Sequence, residues 1–530
     1  MTNTSFLTLD SVSLVLPNGK PLFTNLNACF DQRPTGMVGR NGVGKSLLGQ
    51  ILAGQRLPSS GRCSRHGRVH HLGQQVIRHS TTVADLAQVG QVIAALQSIE
   101  KGSIDLYDFD TVGDQWDIRE RLHILLDRHG LGHLTPDYPA AELSGGQAMR
   151  VALLGAWLSD SDYLILDEPS NHLDSEGRAQ LMAMITAWDR GLLVISHDRG
   201  LLEHMSRIVE LSSLGLQAFG GPYSFYAKRK AEQREQAQQQ LVRAKHERQL
   251  TAKTLHEQRE RLERHQSRAS HHAKHANQAK ILIDRQQQRS QVTAGKQRRD
   301  HHDALQALQT QVQQAARQVE RDSAIILHAP TPQSHPGREV LALQGLVLPR
   351  GSTEPIDLRL CLGQRLGLVG TNGSGKSTLF QVLCEGLPFQ AGRVRMSGEV
   401  AMLDQHCSSL PGQQTVLAHL REANPTLPSG VLRIRLAQLG LDAARIELPS
   451  SLLSGGERLK AALAGVLYRK RGVDLLLLDE PGNHLDLPSL EALEAMLRQF
   501  QGAMLVASHD PVFLQQLALD AYLHLPSASP

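Results

Sequence analysis

The residues best suited to chemistry occur twice. Gly39-Arg40-Asn41-Gly42-Val43-Gly44-Lys45-Ser46 and Gly370-Thr371-Asn372-Gly373-Ser374-Gly375-Lys376-Ser377, the latter followed by Thr378, share the pattern Gly-x-x-x-x-Gly-Lys-Ser. Glycines at this spacing let successive backbone N–H groups face an anion at the positive end of the next helix. The lysine then reaches the outer phosphates of a nucleoside triphosphate, and the serine hydroxyl ligates Mg²⁺. Asp167 and Asp479 each end an apolar run, LILD and LLLD, where a carboxylate can hold Mg²⁺ through its water shell. Glu168 and Glu480 follow directly, in position to polarise an attacking water. Gln74 and Gln405 follow strand-like runs and can contact Mg²⁺ or that water. His197 and His509 follow LLVIS and MLVAS, where a neutral imidazole can hydrogen-bond a γ-phosphate. The chemistry these groups suit is hydrolysis of the terminal phosphate of a nucleoside triphosphate held with Mg²⁺.

Two further anion sites complete the set. Ser144-Gly145-Gly146 and Ser454-Gly455-Gly456 each open a helical run, which makes an N-terminal phosphate site. Each copy already has one phosphate loop. The second makes sense if it caps the γ-phosphate held by the other copy, which requires a head-to-tail pair within this one chain.

The elements that must position these groups follow from the repeat. PTGMV and RLGLV read as buried strands before the glycine loops, and LLGQILAG and TLFQVLCEG as the helices after them. The fold class implied is α/β, as two tandem P-loop ATPase domains. Lys45 and Lys376 lie 331 positions apart, as do Gln74 and Gln405, but Ser144 and Ser454 are separated by 310 and His197 and His509 by 312. The first copy therefore holds about 20 extra residues, expected on the surface as a short insertion near 98–117. The domains expected are 1–225, 226–325 and 326–530.

The middle segment has its own composition. Between Ala227 and Asp322 there are 21 Lys+Arg against 11 Asp+Glu, a net charge of +10 in a chain whose total is +4. It contains no proline and a single glycine, Gly295, and its leucines recur at helical spacing. A long basic α-helical hairpin is expected, with 267–278 and 290–297 as candidate turns. Arg259, Arg261, Arg264, Arg268, Lys274, Lys280, Arg285 and Arg289 flank its tip and form an electrostatic footprint for nucleic acid. Charge alone suits RNA or DNA. His271 and His275 share a helical face, able to meet polar groups, RNA or a metal.

Composition removes other classes. Cys29, Cys63, Cys361, Cys384 and Cys407 are scattered with no Cys-x-x-Cys, against a disulfide scaffold or zinc ribbon and in favour of a reducing, cytoplasmic setting. There is no apolar run near 18 residues, and the opening MTNTSFLTLDSV lacks a secretory pattern. The motor of a membrane exporter therefore ranks below a nucleic-acid ATPase. Aromatics make up 4% of the chain, too few for a base-stacking platform to dominate.

The order phosphate loop, Gln, LSGG, DEP, NHLD, His resembles the ATP-binding cassette (ABC) family. Two cassettes without a membrane domain, DEPxNHLD in both, and a basic helical linker resemble the ABC-F subfamily of translation-associated ATPases over about Ser5 to Leu525. The resemblance implies two composite ATP sites. One comprises Gly39–Ser46, Gln74, Asp167, Glu168 and His197, closed by Ser454, Gly455 and Gly456. The other comprises Gly370–Ser377, Gln405, Asp479, Glu480 and His509, closed by Ser144, Gly145 and Gly146. It also implies a monomer whose linker reaches the ribosome beside transfer RNA and the peptidyl-transferase centre. A DNA-associated ATPase of genome maintenance is the alternative. The sequence departs from the family in three places. VSLVLPNGK and LVLPRGSTE carry no aromatic to stack an adenine, which implies weak or apolar base recognition. DEPTNHLD appears with Ser170 and Gly482. The arm that some relatives extend towards the ribosomal exit-site stalk is short or absent.

Overall fold

The computed structural model describes residues 6–74, 82–171, 173–275, 303, 305–316, 337–404, 410–469, 472–483 and 485–526. In the first repeat the strands are β1 (Leu7–Val15), β2 (Pro21–Phe30), β3 (Thr35–Val38), β4 (Ser60–Arg65), β5 (Val69–Leu72), β6 (Tyr163–Asp167), β7 (Gly191–Ile195), β8 (Arg207–Ser212) and β9 (Gly215–Gly220). In the second they are β10 (Glu339–Val347), β11 (Ile356–Cys361), β12 (Arg365–Gly370), β13 (Ala391–Met396), β14 (Val400–Leu403), β15 (Leu475–Asp479), β16 (Ala503–Ala507) and β17 (Ala521–Leu525).

The unbroken apolar runs become central strands. Every residue of β3, β6, β7, β15 and β16 is buried, as expected for parallel strands covered on both faces. They lie in sheets ordered β5-β6-β7-β3-β8-β9 and β14-β15-β16-β12-β17, parallel except for the β8–β9 pair. Antiparallel sheets β2-β1-β4 and β11-β10-β13 flank them. Parallel pairing brings the carboxyl ends of the strands to one edge, where ligands of open α/β sheets bind. The glycine loops follow β3 and β12, Asp167 and Asp479 end β6 and β15, and His197 and His509 follow β7 and β16.

A helical layer separates the two halves of each sheet's sequence. In the first repeat, helices Gly90–Glu100, Ile118–Arg128 and Gly145–Leu158 share a core of Ile93, Leu96, Leu122, Leu126, Val151 and Leu154. Much of 98–117 is helical rather than irregular: it completes Gly90–Glu100 and forms Leu106–Val112, capped by Asp105. Only Val112 of that short helix is buried, while Leu106, Tyr107 and the nearby Trp116 face outwards.

The chain divides into two compact units, Met1–Tyr226 with Ser323–Pro530, and Ala227–Asp322. Both cassettes thus lie in one unit. A single helix, Tyr223–His275, runs from the first unit into the second. Its 53 residues would measure about 80 Å at 1.5 Å per residue. It is built mainly from Ala, Gln, Glu, Lys and Arg, all strong helix formers. Within the second unit Arg248 donates to Gln309 of the helical segment 305–316, so the chain returns alongside. The first candidate turn is corrected: Ser267 to His275 is helical, because SRASHHAKH offers neither glycine nor proline to end the helix. The second, 290–297, lies outside the described residues. Among the described residues no helix is long and apolar enough to cross a membrane.

One close contact differs between the repeats. Gly155, in helix Gly145–Leu158, faces backbone: a Cβ there would stand 2.2 Å from the Ala87 carbonyl oxygen and 2.4 Å from its Cα. At Gly465, its counterpart in helix Gly455–Leu467, the obstacle is the movable His419 ring, with Nε2 at 2.8 Å. Gly155→Ala should therefore destabilise the fold by about 1–3 kcal/mol and Gly465→Ala by clearly less. Guanidinium unfolding of the two variants side by side checks the order.

Candidate active site

The glycine loops close on their lysines in the same way. Gly44 and Gly375, the residues just before the helices, sit at φ 101°, a left-handed conformation that costs glycine little. Lys45 Nζ donates to the carbonyls of Gly39 (2.7 Å) and Arg40 (3.1 Å), and Lys376 Nζ to Gly370 (2.8 Å) and Thr371 (3.1 Å). Burial lowers both lysines from their ordinary value, although Glu168, Asp486 and Asp167 around Lys45, and Glu480, Asp479 and Asp174 around Lys376, pull upwards. Ser46 and Ser377 hydrogen-bond to Asp167 and Asp479, whose pKa burial raises against that bond.

Glu168 and Glu480 occupy a strained backbone position. Their φ values are 51° and 47°, rare for a non-glycine residue. Each N–H is held by the neighbouring strand, Glu168 to the Ile195 carbonyl and Glu480 to that of Ala507. The bend turns their carboxylates towards the histidines: His197 Nε2 lies 3.4 Å from Glu168 Oε1, and His509 Nε2 lies 3.6 Å from Glu480 Oε1. Burial pushes Glu168 up to about 8 and Glu480 up to about 7, with the lysines pulling the other way. Burial, reinforced by Lys45 and Lys376, pushes His197 down to about 3 and His509 down to about 4, so both imidazoles are neutral near pH 7.

Ser144 and Ser454 are the N-caps of helices Gly145–Leu158 and Gly455–Leu467, each with a reciprocal capping box to Gln147 or Glu457. Ser144, Gly145 and Gly146 line a cavity of about 480 Å³ together with Asn372, Gly373, Gly375, Lys376, Ser377, Thr378, Asp479, Glu480 and His509. That volume suits a small-molecule ligand. The first cassette's LSGG and the second cassette's phosphate loop thus face one space. Arg350 and Gly351 also line it, so the hairpin expected to offer a weak or apolar base contact brings an arginine there.

The counterpart around Lys45 is joined across the cassettes by another group. Asn41 N donates to Asp486 Oδ2 at 2.8 Å, and reciprocally Asn372 N donates to Asp174 Oδ2 at 3.2 Å. The other oxygen of each aspartate caps its own helix, through Gly177 N at 2.9 Å and Ser489 N at 3.0 Å. Burial raises the pKa of these carboxyls, but the hydrogen bonds outweigh it and leave both lowered. These two aspartates were not among the residues singled out from the sequence; their recurrence in NHLD was the available signal.

Some expected residues lie elsewhere. Gln74 follows β5 and is exposed. Gln405 lies outside the described residues, as do Lys280, Arg285 and Arg289. Arg261 and Arg264 are exposed on the long helix, Arg264 beside Glu260. Arg259, Arg268, Lys274, His271 and His275 belong to the same helix.

The ABC transporter family matches residues 25–171 and again 353–483, over half of the chain. The probable ATP-binding protein YheS of Haemophilus influenzae is 28% identical over 533 residues, covering 95% of this chain and 76% of the relative. The ribosome protection protein VmlR of Bacillus subtilis is 27% identical over 527 residues, covering 96% of this chain and 85% of the relative. The solved structure titled RNase-L Inhibitor superposes with a TM-score of 0.59 over 98% of this chain and 90% of its own, at 17% identity, a likeness of fold.

A buried ion pair also joins the cassettes: Arg199 Nη1 lies 2.8 Å from Glu494 Oε1, with both side chains almost wholly buried. Loss of one partner strands the other's charge, at a cost of about 3–5 kcal/mol, whereas replacing both by apolar groups costs far less. Arg199→Ala and Glu494→Ala should each lower the thermal unfolding midpoint sharply, and Arg199→Met with Glu494→Leu should recover most of the loss.

Proposed function

Since the chain belongs to the ABC transporter family, as a tandem-cassette ATPase of the ABC-F type, we propose that its cassettes close head-to-tail on two ATP molecules and thereby set the basic helical linker against ribosomal and transfer RNA. The observation that carries this reading is the cavity shared by Ser144–Gly146 of one cassette and Lys376, Glu480 and His509 of the other. A γ-phosphate there meets donors from both cassettes, so nucleotide binding favours the closed arrangement over the open one.

Each residue has a part in that reading. The amides of Gly39–Ser46 and Gly370–Ser377 cradle the phosphates, and Lys45 and Lys376 exchange their carbonyl partners for phosphate oxygens. Ser454, Gly455 and Gly456 cap the first site as Ser144, Gly145 and Gly146 cap the second. Mg²⁺ is to be held by Ser46, Asp167 and Gln74 in one site and by Ser377, Asp479 and Gln405 in the other. The donors fit it: the serine hydroxyl and the aspartate carboxylate already touch, and Asp167 Oδ1 is buried with no hydrogen-bond partner. When bound, Mg²⁺ offsets the charge of the β- and γ-phosphate oxygens. Glu168 or Glu480 accepts a proton from water, whose oxygen bonds to the γ-phosphorus as the bond to the ADP oxygen breaks. Neutral His197 or His509 donates to the γ-phosphate.

The partner is inferred from two sources. The relative from Bacillus subtilis is named a ribosome protection protein, and the segment between Ala227 and Asp322 carries a net charge of +10, suited to RNA phosphates. The role that follows is at the transfer RNA exit site or peptidyl-transferase region: regulating translation, rescuing stalled ribosomes or protecting them from antibiotics.

The double variant Glu168→Gln, Glu480→Gln should bind ATP, lose turnover and stay closed. In a sucrose gradient with ATP it should comigrate with 70S ribosomes, and rising salt should release it. Migration at the top of the gradient, with ATPase activity of the unaltered chain stimulated by branched DNA and not by ribosomes, would overturn the ribosomal reading in favour of a DNA partner.

A further inference from the structure

The antiparallel sheet β11-β10-β13 of the second cassette turns one face to the core and the other outwards. Leu341 and Leu343 of β10, Leu358 and Leu360 of β11 and Val394 of β13 pack on the core side. Strand alternation then sends Ala342, Arg359, Arg393 and Arg395 to the opposite side. The register sets them next to one another: Ala342 pairs with Arg359 on one flank and with Arg395 on the other, and Gln344 pairs with Arg393. The backbones of Arg359 and Arg395 therefore stand two strand spacings apart, about 10 Å, and Arg393 lies two residues, about 7 Å, along the strand from Arg395. All three arginines are exposed. Among the described residues their side chains make no hydrogen bond or ion pair. Asp357, the acidic residue beside them on β11, accepts from the Gly345 N–H at 2.8 Å through Oδ1. Glu339 lies at the start of β10, next to Arg338, which donates to the Ser397 hydroxyl. The middle of the face keeps a surplus of positive charge.

The first cassette builds the same sheet, β2-β1-β4, without this charge. Thr8 pairs with Cys29 and Ser64 where Ala342 pairs with Arg359 and Arg395, and Asp10 pairs with Arg62 where Gln344 pairs with Arg393. A charge that the fold itself required would recur in both copies. Like charges this close repel one another, and no side chain of the second cassette pairs with them. What offsets them must come from outside the chain, and it must be a polyanion.

We propose that the outward face of β11-β10-β13 is a second RNA-binding surface of the chain, on which Arg359, Arg393 and Arg395 hold the phosphate backbone of a ribosomal RNA helix. The proposal rests on the ribosomal reading above and adds to the basic linker a contact made by a cassette. The planar guanidinium fork matches phosphate oxygens two at a time. The three strands contain no aromatic residue. The face therefore offers nothing to stack a base or to anchor in a protein pocket, the parts that aromatics play in single-strand and protein recognition. Contacts to phosphate alone hold and orient without reading sequence.

The test measures the affinity of the full-length chain for 70S ribosomes with ATP, in the Glu168→Gln, Glu480→Gln background, across a range of potassium concentrations. Arg359→Gln, Arg393→Gln and Arg395→Gln together remove three phosphate contacts. The slope of log affinity against log salt should become shallower by about 2–3, and affinity at about 0.1 M salt should fall about tenfold or more. Lysine at all three positions keeps the charge and should keep the slope. Arg62→Gln in the first cassette, whose charge is matched by Asp10, should leave slope and affinity as they were. Without ribosomes, the triple Gln variant of the otherwise unaltered chain should hydrolyse ATP at the ordinary rate and unfold at the ordinary temperature, which separates loss of binding from loss of fold. An unchanged slope, or an equal loss from Arg62→Gln, would overturn the proposal. So would a triple Gln variant that keeps its ribosome affinity but loses binding to polyglutamate or to phosphatidylglycerol vesicles, which would assign the face to an acidic protein or a lipid surface. A chain with all three arginines that fails to bind ribosomes at any salt would overturn the ribosomal reading itself, and this proposal with it.

Discussion

Each phosphate loop of this protein is bonded by an aspartate of the other cassette, and much of the architecture is arranged around that crossed contact. Asp486 accepts the Asn41 N–H and Asp174 accepts the Asn372 N–H, while the second oxygen of each caps the helix that begins beside it. One carboxylate thus satisfies two kinds of orphan donor, a loop amide and a helix N-terminus. Because the helix cap fixes where the carboxylate points, the orientation of Ser175–Ala187 or Leu487–Gln499 is tied to the loop of the opposite cassette. Leu487, the first residue of the latter helix, packs into the hydrophobic core of the first cassette. Polar and apolar contacts therefore join the cassettes at the same turn of chain.

Burial of the charges at this junction gives them their chemical character. Lys45, Lys376, Glu168 and Glu480 all sit where water is largely excluded, so each is driven towards its neutral form and restrained by its opposite number. In such surroundings a small difference in fixed charge has a large effect. The two cassettes are alike in backbone, down to the left-handed φ of Glu168 and Glu480. They differ in the charges presented around those glutamates: Asp198 stands near Glu168 and Arg178 near Glu480.

The parts of this arrangement legible in the sequence are those that recur. The apolar runs before Asp167 and Asp479 leave little choice but buried parallel strands, and the glycine loops, LSGG turns and histidines could be aligned copy against copy. Arg199 and Glu494 could not be found this way, because their counterparts are Pro511 and Met182. An ion pair between positions 295 residues apart, without a partner in the repeat, leaves no pattern for single-sequence reasoning to detect. The helical state of Ser267–His275, within the candidate turn at 267–278, was hidden for a different reason. A polar, histidine-rich stretch reads as a turn by composition, but with no glycine or proline nothing in its backbone chemistry stops the helix before His275. Asp174 and Asp486 were visible within a quoted motif, yet a carboxylate's role as a bridge depends on what lies opposite, which only the paired cassettes reveal.

The Arg199–Glu494 pair also reaches the origin of the linker. The Arg199 side chain hydrogen-bonds to Tyr223, the first residue of the helix Tyr223–His275, as well as to Glu494 of the second cassette. The same turn of helix is held by Glu203, which accepts from the Ser224 N–H and hydroxyl, and by the edge-on packing of Tyr226 against Phe219, 5.0 Å between ring centres. Separating the cassettes at Glu494 would leave the guanidinium with Tyr223 as its remaining side-chain partner among those two, in surroundings that penalise an uncompensated charge. The first turn of the helix is thus held by groups of the first cassette and, through Arg199, stands one contact away from Glu494 of the second.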